Sequence, residues 1–478
     1  MPLPHWPVSL GRPTSRATRT VLTRIAVGAA LVLGAGLIAS GPDPAPTLDL
    51  PSARTVAFGT GTLWVSSPTD EARRLQVLPS SAGPATGEIV VDPGQRRQDW
   101  WGTGATLTDA SQLLLRAHPS AITQLFDPGA AQGAHLNLLR LPLTATDFSP
   151  TMWTWGWDGR TATPSPEAQA AAGLVAGPIR AARPDLRVVA TPWSAPLSMK
   201  STATLRGGGL LAGAEGQYGA MLASQAGWLK AHKVPLWAMT LGNEPGYGTD
   251  YPTMTMTDAQ MAGLGQTVGP RLDRLHVGLW ALDHNWSDRA RVDNLLHAAP
   301  GAFDAAAFHC YGGRSSQMAG LTVARLVTEC TGTTDGWTGT FAWDARNLVT
   351  DAVAAGSSGL MMWNLALDEQ HGPLDAGSTY GCKNCRGLLT VTPDGLQRQP
   401  EFYTLAQLSR AASPGARVVS STASSGLDVA AFRNADGTVG VFGHNSTGTE
   451  QVVRIRVVGG TTVGYTVEPG ELFTYRSP

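Results

Sequence analysis

The feature that most limits the fold of this chain is a series of eight strand-like runs alternating with helix-period stretches from about residue 98 onward. The runs are Trp100–Ala105, Leu136–Pro142, Leu186–Pro192, Leu236–Gly242, His276–Asp283, Ala305–Cys310, Ala324–Glu329 and Gly359–Leu365. Such alternation predicts parallel βαβ units. Between the fourth and fifth runs, Met261, Leu264, Val268, Leu272 and Leu275 fall at helical spacing and would lay one apolar face on a sheet. Eight units in about 310 residues are the size of a (β/α)8 TIM barrel, so the fold class is α/β. Only about a dozen residues separate the sixth and seventh runs, close to the minimum for a crossover, and a single helical turn is expected there.

A chain of 478 residues exceeds the size at which one core stops growing, so a second domain is expected. Before the barrel, Thr62–Ser66, Leu75–Leu78 and Glu88–Asp92 look like strands separated by Ser, Pro and Gly turns, with no helix evident. Beyond Pro414 alternation returns in Leu427–Phe432, Thr438–Gly443, Val452–Val458, Val463–Val467 and Leu472–Tyr475, with Asp436-Gly437 as a hairpin turn. The pre-barrel and C-terminal strands are expected to complete one accessory all-β sandwich. The expected boundaries are 55–97 for the first strands, 98–412 for the barrel and 413–478 for the C-terminal strands.

Residues 1–41 read as an export signal, with Arg12, Arg16, Arg19 and Arg24 before an apolar run from Ile25 to Ala39 and small residues after it. That run falls short of the roughly 20 residues needed to span a bilayer. The mature protein is therefore expected outside the cell without stable membrane association, or held at the surface if the segment is not cleaved. A Pro/Ala linker covers 42–54. The formal charge of −1 offers no field for nucleic acid or an anionic surface, and abundant Gly, Pro and Trp suit a loop-rich enzyme with a neutral polar partner, such as a glycan or glycolipid. Oligomeric state is not encoded in these features.

Barrel active sites lie at the C-terminal ends of the strands. The fourth run is followed by Asn243-Glu244-Pro245 and the seventh ends in Glu329-Cys330. Strands 4 and 7 lie on opposite sides of a barrel, so the two carboxylates converge across its axis. Glycoside cleavage needs such a pair: one acid protonates the leaving oxygen, and one carboxylate attacks the anomeric carbon or activates water. The acid keeps its proton near neutral pH through apolar surroundings and a neighbouring negative charge. No metal or other cofactor is called for.

The ordered stretches Trp101-Gly-Thr-Gly-Ala-Thr-Leu-Thr-Asp109, Leu139-Arg-Leu-Pro142, Thr191-Pro-Trp-Ser-Ala-Pro-Leu-Ser-Met-Lys200, Leu241-Gly-Asn-Glu-Pro245, Phe308-His-Cys-Tyr311, Thr328-Glu-Cys330 and Trp363-Asn-Leu-Ala-Leu-Asp368 resemble glycoside hydrolase family 30, the family of the glucosylceramidases. The resemblance runs from about residue 50 to the end. It implies Glu244 as acid/base and Glu329 as nucleophile of a retaining β-glycosidase. By the same resemblance Asp109, Trp193, Asn243, Tyr311 and Trp363 line the sugar pocket, and Arg140 holds the nucleophile ionised; His309, in a lining or hydrogen-bonding role, and Asn364 are further substrate-binding candidates. The family's substrates include glucosylceramide, β-1,6-glucans, xylans and galactans, and a β-glucoside is the expected one. Thr103-Gly104 stands where the family normally has two glycines, Gly242 stands where it has Gln or a similar residue, and the stretch after Tyr311 is shorter.

Blander readings stand beside these. Asp109 also suits a helix N-cap; Trp193 and Trp363 also suit a core; His309 is also compatible with a purely structural histidine. Cys310, Cys330, Cys382 and Cys385 fit two disulfides in an exported protein, Cys310–Cys330 at neighbouring strand ends and Cys382–Cys385 closing a small loop, with a four-cysteine zinc site as the alternative. The rival functions are a carbohydrate-binding barrel without catalysis and a cellulase- or xylanase-like enzyme of the same clan.

Overall fold

The computed structural model describes residues 61–334 and 336–478. The expected export signal at 1–41 and linker at 42–54 lie outside the described residues. Strands β1 (Thr62–Ser66), β2 (Arg74–Leu78) and β3 (Gly87–Asp99) come first. One 3₁₀ turn, Glu71–Arg73, interrupts them where no helix was expected; Asp70 caps it by accepting from the Ala72 N–H.

The barrel strands are β4 (Gly102–Thr106) and β5 (Leu138–Pro142), then, after a two-residue ribbon of β6 (Gly156–Trp157) and β7 (Ala162–Thr163), β8 (Arg187–Thr191), β9 (Leu236–Thr240), β10 (Gly278–Asn285), β11 (Ala305–His309), β12 (Ala324–Glu329) and β13 (Ser357–Asp368). Each pairs in parallel with the next, and β13 pairs with both β12 and β4, which closes the cylinder. The helix Asp258–Asp273 starts at a capping box of Thr257 and Gln260 and buries Met261, Leu264, Val268 and Leu272. Between β11 and β12 there is only a 3₁₀ turn, Ser315–Met318. Leu138, Val189, Ala238, Trp280, Leu326 and Met361 fill the interior, and Trp101, Trp237 and Trp280 pack ring against ring at its N-terminal end.

Besides the β6–β7 ribbon, a hairpin and a sandwich strand were not anticipated. The hairpin of β14 (Gly387–Thr392) and β15 (Gly395–Arg398) extends the barrel sheet beyond β13, turning at Pro393-Asp394. After the helix Pro400–Ala411, the sandwich begins one strand earlier than predicted, with β16 (Arg417–Ala423). It continues through β17 (Leu427–Arg433), β18 (Val439–Asn445), β19 (Gln451–Val457), β20 (Thr462–Val467) and β21 (Leu472–Arg476). The order β2-β1-β21-β18-β17-β16-β3-β19-β20 interleaves strands from both ends of the chain. Their inward residues, among them Leu63, Ile89, Val441, Ile455 and Tyr475, form one core. Among the described residues no helix is long and apolar enough to cross a membrane.

Candidate active site

Above the apolar filling of the barrel the interior turns polar, and the centre of that layer is Asp283. A register shift between β10 and β11 falls at Leu282 to His284, and Leu282 and Asp283 take positive φ of 72° and 66°. A bulge of this kind re-aims a side chain. The Asp283 carboxylate accepts from Arg140 Nη2 at 2.9 Å, Thr191 Oγ1 at 3.1 Å, Thr240 Oγ1 at 2.9 Å and Thr328 Oγ1 at 2.7 Å, and it bonds His309 Nε2 at 3.0 Å. Burial opposes its charge, but Arg140 and His309 overcome this and hold the carboxyl far below the usual range.

Arg140, on β5 and fully buried, donates in three directions: to Glu329 Oε2, to Asn243 Oδ1 at 2.6 Å and to Asp283. Tyr311 donates its hydroxyl to the other Glu329 oxygen at 2.9 Å. Glu244 follows β9 with a φ of 46°, its N–H bonded to the Asp283 carbonyl at 2.9 Å, and its Oε1 lies 3.1 Å from His309 Nδ1. Non-glycine residues rarely adopt such a φ, and the tether to the bulge holds this one in place. One carboxylate oxygen of each glutamate and a ring nitrogen of His309 all lie within 4.8 Å of one another.

Burial and charge act on the two glutamates with different outcomes. Burial pushes the Glu329 carboxyl up, against the charges of His309 and Arg140. At Glu244 burial also pushes up, but the His309 hydrogen bond and charge outweigh it and hold the carboxyl below its ordinary value. Burial works against the His309 cation, yet the Glu329 charge and its bonds to Asp283 and Glu244 raise it to about 9. With both glutamates ionised, the two cations and three carboxylates of this buried cluster carry one excess negative charge; one proton on the pair removes it, which burial favours. Donors occupy both Glu329 oxygens, whereas only Oε1 of Glu244 is engaged, which leaves its second oxygen open.

The structure thus brings Glu244, Glu329, Arg140, Asn243, His309 and Tyr311 into one network. Trp193 and Trp363 stack on each other at 5.3 Å and are almost wholly buried, with the Arg140 guanidinium 4.6 Å from the Trp193 ring centre. Two residues stand apart from the carboxylate network. Asp109 accepts from the Trp153 indole at 2.6 Å, and it is not the N-cap: that role belongs to Thr108, whose hydroxyl accepts from the Ser111 N–H. Asn364 accepts from Thr108 at 2.7 Å. Cys310 is bonded to Cys330 and Cys382 to Cys385, so each bridge uses cysteines that a shared zinc site would need as thiolates.

Two acidic residues were missed. Asp283 closes the fifth predicted run, so a polar strand end was its signal. Asp147 lies in the loop after β5 and receives the Cys382 N–H at 3.3 Å. Burial pushes it up to about 7, against the Cys382 N–H, with the charges of Glu329 and Glu244 adding to the rise.

Residues 101–274 match the glycosyl hydrolase family 30 TIM-barrel domain, and residues 415–471 match the family's β-sandwich domain. The chain belongs to glycoside hydrolase family 30. It is 29% identical to endo-1,6-β-D-glucanase neg1 of Aspergillus fumigatus, over 79% of this chain and 85% of that one. It is 28% identical to endo-1,6-β-D-glucanase BGN16.3 of Trichoderma harzianum, over 83% and 88%, and 22% identical to the lysosomal acid glucosylceramidase of Mus musculus, over 71% and 73%. A solved endo-β1,6-glucanase shares the fold with a TM-score of 0.79 at 21% identity, covering 88% of this chain and 99% of the other. This family 30 chain is therefore a glycoside hydrolase, with a barrel and a sandwich in the family's order.

Proposed function

We propose that this hydrolase is exported and cleaves β-1,6-linked glucan by double displacement, with Glu244 as acid/base and Glu329 as nucleophile. The observation that carries the mechanism is the approach of the two carboxyl groups to within 4.8 Å, the spacing of a direct attack rather than one through an intervening water. Glu244 gives its proton to the glycosidic oxygen as Glu329 attacks the anomeric carbon, forming a glycosyl ester and releasing the aglycone. Glu244, now a carboxylate, takes a proton from water, which attacks the same carbon and frees Glu329. Arg140 and Tyr311 keep both Glu329 oxygens oriented, and Asn243, Asp147 and the stacked tryptophans surround the reacting ring. Endo-1,6-β-glucanases among the relatives support the substrate, and the Arg-rich N-terminal segment with paired cysteines supports export.

The test is hydrolysis of linear β-1,6-glucan, β-1,4-xylan and glucosylceramide by the purified chain, with the anomer first released followed by proton NMR. The expected result is β-anomer product from the β-1,6-glucan, with Glu329→Gln lowering kcat by roughly three orders of magnitude or more. Preference for glucosylceramide would overturn the substrate, and α-anomer as first product would overturn the mechanism.

A further inference from the structure

The described residues contain four buried arginines, and three of them face carboxylates: Arg140 faces Glu329 and Asp283, Arg183 faces Asp185, and Arg386 faces Glu401. The fourth, Arg410 near the end of the helix Pro400–Ala411, does not. It donates to the carbonyls of Gly133 at 2.9 Å, Ala406 at 2.9 Å and Ala131 at 2.7 Å, all neutral. Those bonds use three of its five N–H groups. Burial and the charge of Arg398 pull it down to about 10, with no carboxylate opposing them. A guanidinium cannot escape this by giving up its proton near neutral pH.

Arg410 lines a cavity of about 500 Å³ between the N-terminal face of the barrel and the sandwich. Arg183 and Asn137 reach it from just before the barrel strands they precede, Trp64 from β1 and Arg476 from β21, with Ser413 alongside. No Asp or Glu is among the lining residues. Arg476 is already engaged with Asp436 at 2.7 Å, and its Nη1 donates to Ser413 Oγ at 3.0 Å, so Arg410 supplies the uncompensated charge. Positive charge without an acidic partner, in a cavity with an indole in its wall, suits a small molecule carrying an oxyanion.

We propose that this junction cavity is a second binding site, separate from the catalytic pair, for a small carboxylate or phosphate held by Arg410. The catalytic glutamates lie at the opposite strand ends, so occupancy braces the barrel against the sandwich and leaves the chemistry unchanged. The test is isothermal titration of the full chain with inorganic phosphate and, separately, citrate, at ionic strength fixed with chloride. Saturable binding is expected in the millimolar range or tighter for at least one of them, weakened about tenfold or more in Arg410→Met and in Ser413→Glu. The second variant sets a carboxylate in the wall and keeps the interior guanidinium, so it carries the test if Arg410→Met does not fold. Tighter phosphate would point to a phosphate ester and tighter citrate to a polycarboxylate. An absence of saturable heat from both anions, or equal binding by Ser413→Glu, would overturn the site.

Discussion

Asp283 is wholly buried, and five side chains converge on it, including the guanidinium that bonds Glu329 and the imidazole that bonds Glu244. Asp283→Asn removes the charge those two cations share and turns an amide N–H toward groups that already donate. We expect kcat to fall about 100-fold with KM little changed, because both glutamates lose alignment while the sugar contacts persist; kcat within about threefold of wild type would contradict this. His309 makes a different prediction. Its folded pKa of about 9 exceeds the ordinary 6.5, so its stabilising contribution is complete below 6.5 and is lost as pH rises toward 9. The difference in Tm between wild type and His309→Gln should therefore be largest near pH 6 and shrink by pH 9.5. His309 and both glutamates were legible because His309 and Glu329 end strands and Glu244 closely follows one, each inside a longer motif. Asp283 ends a run too, but only its bulged backbone aims it inward, and an apolar pattern does not specify a positive φ. Asp147 was hidden for another reason: a contact with Cys382, 235 residues away, fixes its place.

At the scale of elements, the barrel strands were legible within about two residues, because each is a short apolar run bounded by Gly, Pro or polar residues. The strands that escaped include the two-residue β6 and β7, the short hairpin of β14 and β15 at the edge of the barrel sheet, and β16, whose Ser- and Thr-containing run pairs on one side with the distant β3. One cross-strand link bears directly on the chemistry. Cys310 adjoins His309 and Tyr311, Cys330 adjoins Glu329, and their disulfide locks the ends of β11 and β12 together. Closing a loop of 20 residues stabilises a fold by about 3 kcal/mol in the chain-entropy account. Replacing both cysteines by Ala should lower Tm by several degrees and also reduce kcat, since Tyr311 and Glu329 would no longer be held at 2.9 Å. Loss of Tm with kcat intact would show the bridge to be a staple only. Replacing Cys382 and Cys385 should instead disturb the loop that donates to Asp147, and should raise KM more than it lowers kcat.

For the whole molecule, the decisive fact is that the sandwich is not a C-terminal appendage. β1 lies between β2 and β21, and β3 lies between β16 and β19, so β1 needs a strand from after the barrel on one side and β3 needs one on both. Arg73 pairs with the buried Glu471 at 2.7 Å across that seam. Beneath the sheet, the helix Pro400–Ala411 is tied to both ends of the chain, with Gln407 Nε2 donating to Ser66 Oγ at 2.8 Å and Thr474 Oγ1 donating to the Gln407 carbonyl at 2.7 Å. A chain ending at Ala412 would strand β1 and β3 with unpaired edges, uncover Leu63, Val65, Ile89 and Val91, and remove the floor under that helix. It should therefore be recovered as aggregate, with no soluble barrel activity, although both proposed catalytic glutamates are present. Adding residues 413–478 as a separate polypeptide during refolding should restore soluble, active protein, because the lost strands pair through backbone bonds that need no covalent link to the barrel. Activity from the truncated chain alone would show that the barrel folds without its sandwich, and the two units would then be independent rather than one cooperative body.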